Sequence, residues 1–161
     1  MERVILAGFD GVNNSSREAV KRAELSCHKL ILPNDRRRSA EILLSEIEKT
    51  DAVCVVMLGQ KPNIADKIAV EPFARGENGV LRTALDVTAT VELIKSLGYN
   101  AYISAGCGNS YCNHIYYSCL SSEVNCIFLH IPVLSKISDM SELVKAIEGY
   151  VKGLEGIPAV L

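Results

Sequence analysis

The run Ala52-Val53-Cys54-Val55-Val56-Met57-Leu58, closed by Gly59-Gln60, constrains this chain most. Seven apolar residues without alternation suit a strand covered on both faces, and such strands belong to sheets sandwiched between helices. Two further runs read the same way. Arg3 to Phe9 carries Val-Ile-Leu-Ala-Gly and ends in a turn, and Val124 to Pro132 carries Cys-Ile-Phe-Leu-His-Ile. Shorter strands are expected at His28–Leu32, stopped by Pro33, at Ile64–Val70, and at Asn100–Ser104. Helical spacing fills the intervals. One helix runs from Arg17 to about Ser26, capped by Ser15 or Ser16. The next starts at Asp35 or Ser39 and buries Ile42, Leu43 and Ile47. Val87–Leu97 is closed by Gly98, Ile115–Leu120 is amphipathic, and Met140–Val151 is capped by Ser138 or Ser141. Glu71–Val80 reads as a loop. The alternation predicts an α/β fold, a three-layer α/β/α sandwich with a largely parallel or mixed central sheet.

At 161 residues the chain is expected to form one domain over 1–161, large enough for a core without staples. Apolar residues at 48% and charged residues at 22% exclude a disordered or coiled-coil chain. A net charge of −2 gives no electrostatic case for nucleic acid, and Arg36-Arg37-Arg38 reads as a solvated helix start. No stretch is long enough to span a membrane, and the N-terminal apolar run is too short for a signal peptide. Six cysteines, two of them inside strand-like runs, are then reduced thiols of a cytoplasmic protein.

Chemistry concentrates in Ser104-Ala105-Gly106-Cys107-Gly108-Asn109-Ser110-Tyr111-Cys112-Asn113-His114. Here a strand, a Gly- and Asn-rich turn and a thiol meet at the mouth of a helix, whose N-terminal N–H groups favour thiolate. His114 lies about 200° around the helix from Cys112 and points away. His130, at the end of the last long strand, is the better base, and a thiolate–imidazolium pair is the working unit of cysteine hydrolases. On spacing alone the alternative stands beside it, that both are ordinary packed side chains. Donors for an oxyanion are the amides near Cys112 or those of the Gly8-Phe9-Asp10 turn. Metal ligation by Cys107, Cys112, His114 and Cys119 lacks any C-x-x-C pair and would need a fully looped segment, so no metal is expected. Gly106 and Gly108 lack the lysine and hydroxyl of a phosphate-binding loop.

Five segments, in order, carry a resemblance: Ile5-Leu6-Ala7-Gly8-Phe9-Asp10, Asn14 to Val20, Val53 to Gln60, Cys107 to His114, and Phe128-Leu129-His130-Ile131-Pro132. The chain resembles the pyroglutamyl peptidases (pyrrolidone-carboxylate peptidases), cysteine peptidases that remove N-terminal pyroglutamate from peptides. The resemblance implies Cys112 as nucleophile and His130 as its base. Asp66, in Asp66-Lys67-Ile68-Ala69, matches the family's glutamate as orienting carboxylate, with Glu71 as fallback. It implies Phe9 and Tyr111 lining the acyl pocket, Gln60 bonding near it, no cofactor, and a peptide or small amide substrate. Association into a homo-oligomer is a family tendency, although the segments shortened here include candidate contact surfaces. The chain is shorter than typical members, and Gly8-Phe9-Asp10-Gly11-Val12 keeps only one of the two phenylalanines of the family's loop. Two rivals follow: a related amidohydrolase with a different small acyl or lactam substrate, and a non-catalytic binding domain on the same scaffold.

Overall fold

A computed structural model describes residues 3–108 and 111–154. The three long apolar runs lie side by side at the middle of a six-stranded sheet. β1 (Val4–Phe9), β3 (Cys54–Lys61) and β8 (Asn125–Pro132) are parallel neighbours, with β2 (His28–Leu32) outside β1. β4 (Lys67–Glu71) joins the far edge of β8 antiparallel, and β7 (Asn100–Ile103) is parallel to β4. The order is β2-β1-β3-β8-β4-β7. Every residue of β1 and β8 is buried, as unbroken apolar runs require when helices cover both faces. The α/β reading and the central position of the Cys54 strand hold, and the sheet is mixed at one junction.

Parity along the strands sends side chains to two cores. On one face, α1 (Ser15–Arg22), α3 (Val87–Ser96) and α5 (Met140–Gly153) pack Ala19, Val20, Ile94, Leu143 and Ile147 against Leu6, Val56, Ile68, Val70 and Leu129. On the other, α2 (Arg36–Thr50) and α4 (Tyr111–Ser121) pack Leu43, Ile47, Ile115, Tyr116 and Cys119 against Ile5, Met57 and Phe128. The Arg36–Arg38 run opens α2 on its exposed side, as expected.

Four helices are capped by an Asx side chain. Asn14 accepts from the amides of Ser16 and Arg17, Asp35 from Arg38, Asp86 from Ala89, and Asp139 from Ser141 and Glu142. The serines predicted to cap the first and last helices do not perform that task. Ser15, Ser16 and Ser141 already lie inside the first turn, and Ser138, one residue before the Asp139 cap, is hydrogen-bonded to Asp66 instead. The first helix also stops at Arg22 rather than near Ser26, which frees the chain to turn into β2.

The larger correction concerns 71–80. Its first residue closes β4, and the remainder leads into a hairpin of β5 (Phe73–Gly76) and β6 (Gly79–Arg82), separate from the main sheet. Its sequence lacks apolar alternation because contacts outside the hairpin hold it. The Asn113 carboxamide accepts from the Arg75 amide (2.9 Å) and donates to the Arg75 carbonyl (2.8 Å). The Tyr117 hydroxyl accepts from the Asn78 amide, and the guanidiniums of Arg75 and Arg82 lie 4.8 and 5.3 Å from the centroid of the Phe73 ring. No described helix is long and apolar enough to cross a membrane.

Candidate active site

Cys112 is the second residue of α4 and is buried, on the helix face that carries Ile115, Tyr116 and Cys119 into the core. It sits over the end of β3, where a Cβ built on Gly59 would meet Cys112 Sγ at 3.3 Å and the Phe128 ring at 2.8 Å. Glycine is therefore required where strand, thiol and ring converge. His114 turns away, as its helical spacing predicts, and lines a different cavity of about 510 Å³ between α2, α4 and the hairpin.

The imidazole of His130 projects from β8 toward the α4 face, stacked obliquely on Phe128 with centroids 4.7 Å apart. Its Nδ1 is 2.9 Å from Glu71 Oε1, and both side chains are buried. An ionised carboxylate only accepts, so Nδ1 carries the proton and Nε2 is left as the base. The ammonium of Lys61 lies 3.8 Å from the same Glu71 oxygen. Glu71 Oε2 has no hydrogen-bond partner among the described residues.

Asp66, the expected orienting carboxylate, is elsewhere. It precedes β4 with φ +47°, is exposed, and accepts from the amide (2.7 Å) and hydroxyl (2.5 Å) of Ser138. Those bonds hold its carboxyl below the usual value. Strand parity is the physical reason. Ala69 stands opposite His130 in the antiparallel pair, so Ala69 and Glu71 face the same side as the imidazole, whereas Ile68 and Val70 face the other core. Asp66, three residues before Ala69, has the wrong parity and lies at the wrong end of the strand. The fallback, Glu71, is the residue that meets His130, and it is singled out by the Ala69–His130 register, which no local pattern in the sequence states.

Cys112 and His130 line one cavity of about 340 Å³ together with Phe9, Gly59, Gln60, Lys61, Cys107 and Tyr111. All three residues expected to contact substrate border this space. The Phe9 and Tyr111 rings meet edge to face, 5.1 Å between centroids, and the Tyr111 hydroxyl donates to Asn34 Oδ1. Burial, with Cys112 nearby, pushes that hydroxyl up to about 12, so it stays neutral. Gln60 Oε1 accepts from the amide and hydroxyl of Ser15, tying the end of β3 to the start of α1. Val12 is 91% exposed and adds nothing to the wall. The Gly8–Asp10 turn is a poor source of oxyanion donors. The Phe9 amide already donates to Ser16 Oγ and the Asp10 amide to the Leu32 carbonyl. Lys61, Pro62 and Cys107 are among the cavity residues to which sequence reasoning gave no part there.

No family model matches the chain. The pyrrolidone-carboxylate peptidase of Bacillus licheniformis is 28% identical over 198 aligned positions, covering 99% of this chain and 92% of that protein. The enzyme of the same name from Aliivibrio fischeri is 26% identical over 190 positions, covering 96% and 90%. The chain is thus similar in sequence, over nearly its whole length, to proteins named pyrrolidone-carboxylate peptidase. Alignments longer than the 161-residue chain place gaps inside it. Among solved structures, the pyrrolidone carboxyl peptidase of Fervidobacterium islandicum superposes with a TM-score of 0.83 at 24% identity, covering 94% of this chain and 97% of that one. The Thermococcus litoralis enzyme does so at 0.80 and 20%, covering 100% and 98%. At those identities the superpositions speak for the fold, which this chain shares with the pyrrolidone-carboxylate peptidases over nearly its whole described length.

Proposed function

We propose that this chain is a cysteine peptidase that removes N-terminal pyroglutamate from peptides. The observation that carries the reading is the shared cavity: a buried thiol in the first turn of α4, facing the same space as an imidazole held by a buried carboxylate. The relatives' printed name supplies the substrate class. His130 Nε2 takes the Cys112 proton, and the thiolate attacks the lactam-bearing acyl carbonyl to form a tetrahedral oxyanion. Amides of the first turn of α4 stabilise that charge, with the helix dipole behind them. Collapse expels the peptide amine, which takes the proton from His130 and leaves a thioester on Cys112. Water, deprotonated by the same imidazole, then releases pyroglutamate and restores the thiol. Glu71 fixes the imidazole tautomer and stabilises its charged form without itself being protonated. Phe9 and Tyr111 form the apolar wall for the ring.

A cytoplasmic setting fits the reading, because reducing conditions keep a thiol nucleophile active and none of the six cysteines is in a disulfide. Cys112→Ser and Cys112→Ala should each abolish release of a pyroglutamyl-aminocoumarin reporter. Turnover equal to wild type in either variant would sink the proposal.

A further inference from the structure

The cavity holds a second cysteine that the proposed chemistry does not use. Cys107 Sγ, one ring nitrogen of His130 and a carboxylate oxygen of Glu71 all lie within 4.8 Å of one another. The three residues come from the segment after β7, from β8 and from β4, so only the fold assembles them. Glu71 is fully buried, yet its Oε2 lacks a hydrogen-bond partner among the described residues, an arrangement that ordinarily costs free energy unless something occupies the oxygen.

We propose that Cys107, His130 and Glu71 form a binding site for a divalent cation of the zinc class, and that its occupation inhibits the enzyme. One sulfur, one imidazole nitrogen and one carboxylate oxygen make a borderline-soft donor set that suits zinc over magnesium or calcium. In a tetrahedral zinc site neighbouring donors stand about 3.5 Å apart. Side-chain rotations that draw the three donors inward by about an ångström would bring them to that spacing. Cys107 and His130 line the same cavity as Cys112, which leaves room there for a fourth ligand. The Lys61 ammonium, near the same carboxylate, is displaced on its flexible stem toward solvent as the ion enters. A thiol ligates as the thiolate, so ligation releases the Cys107 proton to water. Ligation also takes the imidazole away from Cys112, and this inhibitory consequence rests on the function proposed above.

The test is a titration of the whole chain with cobalt(II) as the probe, under a non-chelating reductant. One equivalent should bind with a thiolate-to-cobalt charge-transfer absorption. The band should persist in Cys112→Ser and vanish in Cys107→Ser. Whether the carboxylate ligates directly or only orients His130, Glu71→Gln should weaken binding by about 10- to 100-fold. In unmutated protein, zinc should protect Cys107 from alkylation, mapped by peptide mass spectrometry, which keeps the test independent of how the variants fold. Absence of a thiolate band, its survival in Cys107→Ser, or unprotected Cys107 would each overturn the site. Zinc should also suppress reporter turnover and a chelator restore it. A wild-type protein inert on the reporter would instead sink the peptidase reading while leaving the cobalt result standing.

Discussion

Glu71 and Asp66 are five residues apart, and their surroundings give them opposite tasks. Glu71 is buried against His130, so Glu71→Gln keeps the shape but offers the imidazole a neutral partner and the wrong tautomer. Turnover of the pyroglutamyl reporter should fall by about 10²- to 10⁴-fold, by analogy with loss of the orienting carboxylate in other acyl-transfer triads. Asp66→Asn should leave turnover near wild type, since asparagine tolerates the φ of +47° at that position. If the two variants reversed these effects, the carried-over assignment to Asp66 would be right after all. Asp66 should show itself in acid stability instead. Its carboxyl is held below the usual 3.8 by Ser138, so its contribution is present above the unfolded value and lost as pH falls through the folded one. The melting-temperature gap between wild type and Asp66→Asn should be constant above about pH 5 and close below about pH 3. A gap that widens on acidification would contradict the assignment.

At the scale of elements, the long strands and amphipathic helices were legible because each is a local pattern: unbroken apolar runs for β1, β3 and β8, and helical spacing for α2 and α3. The hairpin was not legible, because nothing within Phe73–Arg82 states why it pairs. Its partners, Asn113 and Tyr117, lie about forty residues away on α4. Asn113→Ala removes both bonds to Arg75 and should raise amide exchange across β5 and β6 while sparing β3 and β8. The expected cost is about 1–3 kcal/mol, measured by denaturant unfolding, for hydrogen bonds lost and backbone groups left unpaired. Unchanged exchange in the hairpin would mean that the aromatic and cationic contacts suffice. The site was legible in part for the same reason. Cys112 and His130 announce themselves by helix mouth and strand end, whereas Glu71 becomes a partner only once β4 pairs with β8 in one register. Gly8 shows how closely elements depend on one another. A Cβ there would stand 2.7 Å from the Ser16 carbonyl oxygen, so α1 packs where it does because β1 omits a side chain.

For the molecule as a whole, the six thiols are spread over both cores and the site, and none is in a disulfide. Cys54 is buried and its thiol pushed up to about 12; burial raises the Cys126 thiol as well. Denaturation should therefore expose six alkylatable thiols, against fewer in the native state, and reductant should not change the melting temperature. Fewer than six in denaturant without reductant would reveal a disulfide. The one antiparallel junction within the six-stranded sheet has a consequence for inheritance and redesign. The cavity wall comes from the ends of β1 and β3, the segments that follow β1, β3 and β7, and the start of α4, while the His130–Glu71 pair is fixed by hydrogen-bonded register between β8 and β4. Rim loops can be shortened or exchanged without moving that pair, so a lineage, or an engineer grafting loops, can trade one substrate for another while the proton-handling register stays as it is.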